Sequence, residues 1–225
     1  MAAPNKGPER WKKLALSLTL INTFLTAIIA GLQVDASIRA DGANRDSQYL
    51  ALQVSAALIT SGLQGNYDFS TYLEFLKNSQ ESLVMNFTSL DPELQRSEAA
   101  ITNLTLQAAV AQARADRARA LSIFFTDPRY APSSEDQAPD FLAYLADTNA
   151  EAEDLVTQQN AASDAYHRWD SKSDAYVGVL SVLAIAFFML GLAQAVAQQP
   201  RLVLALFALG LMAMGSLWSA FILLG

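Results

Sequence analysis

Three long stretches of this sequence carry no charged side chain, and this feature limits the possible folds more than any other. We place the corresponding helices at residues 14–34, 175–197 and 202–225. Roughly 20 consecutive apolar residues form a helix that crosses the hydrocarbon core of a bilayer, which is about 30 Å thick. A soluble domain would have to bury three such helices completely. The sequence therefore predicts an all-α membrane protein with three transmembrane helices.

The first stretch could also be read as a secretory signal peptide, because it follows Arg10, Lys12 and Lys13. The apolar part of a signal peptide has about 7–15 residues, and small residues mark its cleavage site. Here the apolar sequence continues to Val34 without a break. We therefore expect residues 14–34 to be retained as a membrane anchor.

The positive charges beside the spans predict the orientation of the chain, since Lys and Arg accumulate in cytoplasmic segments. The tail at residues 1–13 and the turn at residues 198–201 carry, in order, Lys6, Arg10, Lys12, Lys13 and Arg201, against the single acid Glu9. Placing both segments in the cytoplasm leaves residues 35–174 and the C-terminus on the extracytoplasmic side. Because the whole chain has a net charge of -7, the outer segment is strongly acidic.

The chain contains no cysteine, so an exported domain has to be stabilised by its own core and not by disulfide bonds. Together with the many alanines, this composition is typical of a bacterial protein. We expect an integral protein of the bacterial inner (plasma) membrane.

Most catalytic and metal-binding chemistry lacks the residues that it requires. The sequence has a single histidine, no phosphate-binding glycine loop and no nucleophile or zinc-protease motif. An acidic outer segment also argues against nucleic acid, which attracts basic surfaces. We expect no enzyme activity, no cofactor and no metal. The expected partners are the lipid bilayer and either another copy of this chain or a second membrane protein.

Proline and glycine divide residues 35–174 into four predicted helices. The first ends at Gly65-Asn66, the third begins at Pro92 with Asp91 as its N-cap, and a polar loop occupies residues 128–139. The fourth has no proline before Pro200, so it can continue into the second span. Four passes that return the chain to the membrane predict an elongated, antiparallel helical bundle outside the cytoplasm.

In two of these helices, alternating steps of three and four select mostly apolar or small residues, which is typical of coiled coils. In the third helix the positions are Leu94, Ser97, Ile101, Leu104, Ala108, Ala111, Ala115 and Ala118. In the fourth they are Phe141, Leu145, Thr148, Ala152, Leu155, Gln159, Ala162, Tyr166 and Trp169. We expect these faces to pack against neighbouring helices.

A few residues in and beside the spans are candidates for a specific role. Polar side chains of the first span, above all Asn22 and Thr26, either bond to the other spans or line a pore. Small residues four apart suit close contacts between membrane helices, and the pairs are Gly191 with Ala195 and Gly215 with Ser219. His167, next to the second span, is either an ordinary interfacial residue or a pH-sensitive position.

The order of these elements resembles an uncharacterised bacterial membrane family with a domain of unknown function, which has one N-terminal span, a helical coiled region and two C-terminal spans. The matching residues are Asn44-Arg45-Asp46-Ser47-Gln48-Tyr49 after the first span, and the closing pair of helices from His167 to Gly225 with its Gln-Gln-Pro-Arg turn. Residues 66–140 depart from the family's pattern. The resemblance implies no activity, because none is assigned to the family.

Three functions from different classes agree with these patterns. The first is a non-enzymatic, membrane-anchored helical scaffold that assembles with itself or with a membrane partner. The second is an extracytoplasmic sensor or ligand-binding module that signals through a partner's membrane helices. The third is a channel or transporter subunit in which Asn22 lines the path.

Overall fold

The computed structural model describes residues 7–92, 97–134, 137–196 and 198–224, and for residues 7–10, 12, 198 and 199 it describes the backbone alone. Within this part the chain is helical and has no strand. The helices are α1 (Gly7–Ser89), α2 (Glu98–Leu121), α3 (Ile123–Thr126), α4 (Phe141–Ala195) and α5 (Gln198–Leu224). Of the residues used above, Lys6, Leu94 and Gly225 lie outside the described residues, as do the side chains of Glu9, Arg10 and Lys12.

Helices α1, α4 and α5 are long and apolar enough to cross a membrane, and no other described helix is. Each one contains one of the stretches that carry no charge. This agrees with a membrane protein that has three spans.

Helix α1 corrects the predicted division of the middle segment. It runs unbroken from Gly7 to Ser89, so the end predicted at Gly65-Asn66 is wrong. No described glycine has a positive φ angle, so Gly65 keeps an ordinary helical backbone. A glycine inside a helix costs about 1 kcal/mol relative to alanine. That cost is small enough for the buried residues on both sides to outweigh it.

The start predicted for the third helix is also wrong. Helix α2 begins at Glu98, and its N-cap is Ser97 and not Asp91. The backbone of Ser97 is extended, with a φ of -124°, and its hydroxyl accepts a hydrogen bond from the N–H of Ala100. This bond satisfies one of the free N–H groups at the helix start.

Helix α4 continues from Phe141 to Ala195, as the absence of proline predicts. After its end, the guanidinium of Arg201 donates to the carbonyl oxygens of Ala193 at 3.1 Å and Val196 at 3.0 Å. These bonds satisfy carbonyl groups that have no partner within the helix. Arg201 therefore caps α4 from the first turn of α5, and the turn predicted at residues 198–201 is helical instead.

The chain divides into two compact units. The first, which we call the span unit, comprises Met1–Tyr49 and Gln158–Gly225. Its core joins side chains from α1, α4 and α5: Ile29, Ala36, Tyr176, Val179, Leu183, Ala186, Leu190, Ala208, Met212 and Ile222. In α1 the buried positions recur every seven residues, at Ala15, Asn22, Ile29 and Ala36. That period is typical of helices in long side-by-side contact.

The second, the middle unit, is Leu50–Thr157. Its core is an aromatic cluster of Phe124, Tyr130 and Tyr144, with Phe69, Tyr72 and Phe141 packed against it. In α2 the buried residues are Ala108, Ala111, Ala115 and Ala118, which belong to the face predicted from the sequence. In α4 the sequence predicted a contact position at Leu145, but this residue is 42% exposed. Its neighbour Tyr144 is the buried residue, at 1% exposed.

Candidate functional site

The aromatic cluster of the middle unit joins three separate helices at one place. Phe69 of α1 lies with its ring centre 5.1 Å from that of Phe124 in α3 and 5.5 Å from that of Phe141 in α4. The ring of Tyr144 meets Phe124 edge-on at 4.9 Å. Tilted and edge-on pairs at these distances are the arrangements that aromatic rings favour. The cluster therefore fixes the start of α4 against α1.

A buried hydrogen bond lies within this cluster. The hydroxyl of Tyr144 donates to Oδ2 of Asp68 at 2.6 Å, and Asp68 is only 7% exposed. Burial, and then the bond to the carboxylate, raises the pKa of Tyr144 to about 12. Both effects oppose formation of a second negative charge beside Asp68.

A charged network borders the cluster on the loop after α3. The guanidinium of Arg129 donates to Asp127 at 2.8 Å and to Asp147 at 2.6 Å. The hydroxyl of Tyr130 donates to the same oxygen of Asp147 at 2.7 Å. The bond from Arg129 lowers the pKa of Asp127, and the bond to Asp147 raises the pKa of Tyr130. The network holds the loop onto α4.

A cleft of about 330 Å³ opens beside this network. Its polar lining includes Thr60, Ser61, Gln64, Arg129, Asp147 and Glu151. Small-molecule sites begin at about this volume. However, Ser61 donates to the carbonyl of Thr148, and Arg129 is already paired with two carboxylates. The other polar side chains of the cleft, among them Gln64 and Glu151, offer hydrogen bonds to a small polar molecule. Among the described residues, no group of three His, Cys, Asp or Glu side chains could hold a metal ion.

In the span unit, Asn22 is completely buried between α1 and α4. Its Nδ2 donates to the carbonyl oxygen of Leu183 at 3.1 Å, while its Oδ1 has no hydrogen-bond partner in the described part of the chain. The hydroxyl of Thr26 donates to the carbonyl of Asn22 within α1. Two further bonds link the same helices, from Gln33 to Ser173 and from Gln194 to Thr19. Asn22 thus occupies a contact between helices within one chain.

The two pairs of small residues lie in different surroundings. A Cβ atom on Gly215 would lie 3.2 Å from the side chain of Leu183, and Ser219 is buried. By contrast, a Cβ on Gly191 would meet nothing within 4 Å, and Ala195 is exposed. The Gly215 pair therefore lies where α5 approaches α4 closely, and the Gly191 pair faces away from the other described helices.

His167 is exposed on α4, where its ring lies 5.1 Å from that of Tyr166. The neighbouring indole of Trp169 has two cations over it. The guanidinium of Arg39 is 4.8 Å from the ring centre, and the ammonium of Lys172 is 5.3 Å from it. The contact of Arg39 links α1 to α4 through a cation–π interaction, whereas that of Lys172 lies within α4. They involve Trp169, not His167.

Comparisons with known proteins give no relative. No family model, no curated protein and no solved structure matches this chain. The resemblance to a membrane family of unknown function stays a prediction.

The feature of the middle unit with the clearest implication for function is an uncovered apolar face on α1, which we call the outer seam. It consists of Leu52, Ala56, Ile59 and Leu63, spaced four, three and four residues apart. Its three large side chains are 71%, 64% and 68% exposed. The opposite face of the same helix is the covered one, with Val54 buried and Ser61 bonded to Thr148 of α4.

Sequence reasoning missed the polar residues around the aromatic cluster. Asp68 and Tyr144 are 76 positions apart, and neither belongs to a recognisable motif. A weaker signal existed in the segment 123–130, which is unusually rich in aromatic residues between helices and contains Asp127 and Arg129 two residues apart. The outer seam was also missed, although its spacing is visible in the sequence.

Proposed function

We propose that this protein is a non-enzymatic, membrane-anchored helical scaffold that assembles with other copies of itself. Residues 35–174 form an antiparallel helical bundle on the extracytoplasmic side of a bacterial inner membrane, and the N-terminus is cytoplasmic. The basic residues beside the spans support this orientation. The three helices that are apolar enough to cross a membrane support the anchoring.

The observation that carries the proposal is the large apolar surface that the middle unit leaves uncovered. Its exposed large side chains include, besides the outer seam, Leu73, Leu83, Val84, Phe87, Leu106 and Leu142. These residues belong to a unit whose buried positions form narrow stripes, such as the four alanines of α2. An excess of exposed apolar side chains is typical of sites where proteins associate. Lipid does not account for the part of this surface at Leu73, Leu83 and Val84, because the charged residues Glu74, Lys77 and Glu81 lie between or beside them in α1.

The energy available from this surface favours assembly. Burying one large aliphatic side chain stabilises a complex by about 1.5–3 kcal/mol, so several of them outweigh the loss of freedom on association. Confining the copies to one membrane raises their effective concentration.

The test counts copies in the intact protein. The full chain is reconstituted in liposomes with one fluorophore per copy, and its bleaching steps are counted at several protein-to-lipid ratios. We expect two or more steps per spot at ratios where a monomeric membrane protein of the same size gives one. Single steps at every ratio would exclude self-assembly.

The cleft beside Arg129 favours a second function, the sensing of a small polar ligand. Its volume of about 330 Å³ suits an occupant of amino-acid size. A thermal-shift screen of the full chain against amino acids and other small polar metabolites tests this. A saturable shift that is lost in Glu151→Ala, a cleft residue outside the Arg129 network, would support it. No shift with any compound would argue against it.

A further inference from the structure

The outer seam has the geometry of one half of a two-stranded coiled coil. In such a pair, the contact residues of each helix follow alternating steps of three and four and are called the a and d positions. The partner helix must have the same spacing. Leu52 and Ile59 occupy d positions, and Ala56 and Leu63 occupy a positions. The position opposite them, called f, is filled by Val54, which is buried, and by Ser61, which donates to the carbonyl of Thr148 in α4. The a and d residues are thus the exposed ones, and the f residues are the ones covered within the chain.

The charges around the seam restrict what can cover it. From Ser47 to Tyr67 the sequence contains no Asp, Glu, Lys or Arg. The flanking e and g positions, where coiled coils select their partners by charge, hold Gln53, Ser55, Thr60 and Gly62. In a symmetric pair each flank meets a flank of identical sequence. Charged flanks of one sign would repel one another there, and these do not.

The same argument disfavours a charged partner. Elsewhere the middle unit is rich in acids, for instance at Glu151, Glu153 and Asp154. A basic partner would be attracted to those residues and not to the uncharged seam. The occupant that fits best is a helix with the same spacing and uncharged flanks, and α1 of a second copy is such a helix.

We infer that two copies of this chain associate through their outer seams, with the two α1 helices parallel and in register. This rests on the proposed self-assembly and specifies its contact surface. The direction follows from the anchor: two copies inserted in one membrane in the same sense have α1 helices that leave it in the same direction. Equal positions then lie opposite each other, Leu52 beside Leu52 and Ile59 beside Ile59.

The size of the seam predicts how this dimer behaves. Three large side chains per copy bury on the order of 400 Å² in a pair. A stable soluble complex needs about 1,000 Å². The dimer therefore depends on both copies being held in one membrane, which raises their effective concentration. We expect its population to rise with the density of protein in the membrane.

The absence of cysteine makes a direct test possible, because a single introduced cysteine is the only thiol. Leu52→Cys and Ile59→Cys place thiols on the seam, and Leu58→Cys is the matched control, since Leu58 is 51% exposed but lies outside the seam. Full-length variants in liposomes are oxidised briefly. A disulfide needs Cβ atoms about 3.5–4.5 Å apart, so we expect both seam positions to cross-link at least about tenfold faster than position 58.

Three outcomes separate the two proposals. Fast cross-linking at positions 52 and 59, reduced by dilution with lipid, supports the seam. Equal rates at all three positions, in a protein whose bleaching steps indicate dimers, would overturn the seam and leave self-assembly standing. Single bleaching steps would overturn both.

A second pair of variants tests the seam without cysteine. Ile59→Glu places a charge within the seam, and Leu58→Glu places it outside the seam. Since both side chains are exposed, both variants should keep the helical circular dichroism of the natural chain. We expect Ile59→Glu to lower the dimer fraction at least about fivefold, because like charges would meet across the pair. Equal dimer fractions in the two variants would contradict the inference.

Discussion

The hydroxyl of Tyr144 lies 2.6 Å from Oδ2 of Asp68, and this bond connects α4 to α1 inside the aromatic cluster. Tyr144 is 1% exposed and Asp68 is 7% exposed, so both groups have lost most of their contact with water. A buried carboxylate is costly unless it is hydrogen-bonded. The pair therefore holds the start of α4 at one position along α1.

Replacing Tyr144 by phenylalanine removes this bond and leaves the ring in place. We expect the Tyr144→Phe variant to be less stable by about 1–3 kcal/mol, because Asp68 loses a donor that water cannot replace. The measurement is the thermal or urea unfolding of the full chain in detergent, followed by circular dichroism. Tyr67→Phe is the matched control, since Tyr67 is 62% exposed on the same region of α1. Equal stability of the two variants would argue that Asp68 does not depend on Tyr144.

The bond also shows what the sequence could not reveal. Helical spacing identified the four buried alanines of α2 and the buried Ala152 of α4, because such positions depend on local periodicity. It did not identify a contact between residues 76 positions apart, because that contact depends on how far α1 extends past the start of α4. The break predicted at Gly65 hid this extension.

Gly65 itself explains why that prediction failed. The sequence predicts the end of a helix at Gly65-Asn66, but a glycine can also lie inside a helix and face a neighbouring one. A Cβ atom on Gly65 would lie 4.0 Å from the hydroxyl of Tyr144. The glycine thus lies on the face that meets α4. Periodicity alone does not distinguish a glycine that ends a helix from one that faces a neighbouring helix.

Tyr144 should titrate at an unusually high pH. Its pKa is raised from 10.0 to about 12, first by burial and then by the bond to Asp68. We expect Tyr144 to remain mostly protonated at pH 11, so that Tyr144→Phe changes the tyrosinate absorbance little at pH 11 and more at pH 12. The measurement is the ultraviolet absorbance of tyrosinate as a function of pH in both proteins. If Tyr144→Phe lowered the tyrosinate absorbance as much at pH 10 as at pH 12, relative to the natural chain, the assignment would be contradicted.

The same pKa predicts how stability changes in alkali. An unfolded Tyr144 loses its proton near pH 10, whereas the folded one keeps it to about pH 12. The unfolded state therefore binds fewer protons in this window, and the free energy of unfolding falls as the pH rises through it. A pKa difference of about 2 between the folded and unfolded states corresponds to roughly 2–3 kcal/mol of unfolding free energy. We expect Tyr144→Phe to unfold with a flatter dependence between pH 10 and 12 than the natural chain. Parallel curves would argue against the raised pKa.

From the surroundings of Asn22 we predict which of two substitutions at this position destabilises the protein more. The Nδ2 of Asn22 donates to the carbonyl of Leu183, so aspartate at this position would place an acceptor against an acceptor. Leucine would lose the bond but leave no unsatisfied group. Bonds between membrane helices contribute about 0.6 kcal/mol on average. We expect Asn22→Leu to change stability by about 1 kcal/mol at most, and Asn22→Asp to destabilise by several times more. Unfolding by SDS titration measures both.

The control for this order is Thr23→Leu, because Thr23 is exposed on α1 and its hydroxyl bonds only within its own helix. It should behave like the natural chain. If Asn22→Leu were as damaging as Asn22→Asp, the side chain would be required for more than the bond to Leu183.

Two glycines of the membrane helices predict opposite effects of the same substitution. At Gly191 a new Cβ meets nothing within 4 Å, so Gly191→Ala should gain helix stability, by up to about 1 kcal/mol. At Gly215 the Cβ would lie 3.2 Å from Cδ2 and 3.5 Å from Cγ of Leu183, which is itself completely buried. Leu183 cannot move aside without disturbing the contact of α5 with α4, and overpacking of this kind costs about 1–3 kcal/mol. We therefore expect Gly215→Ala to unfold at a lower SDS fraction than the natural chain and Gly191→Ala at an equal or higher one. The reverse order would mean that α5 approaches α4 elsewhere, and that Gly191 lies in a close contact with another copy.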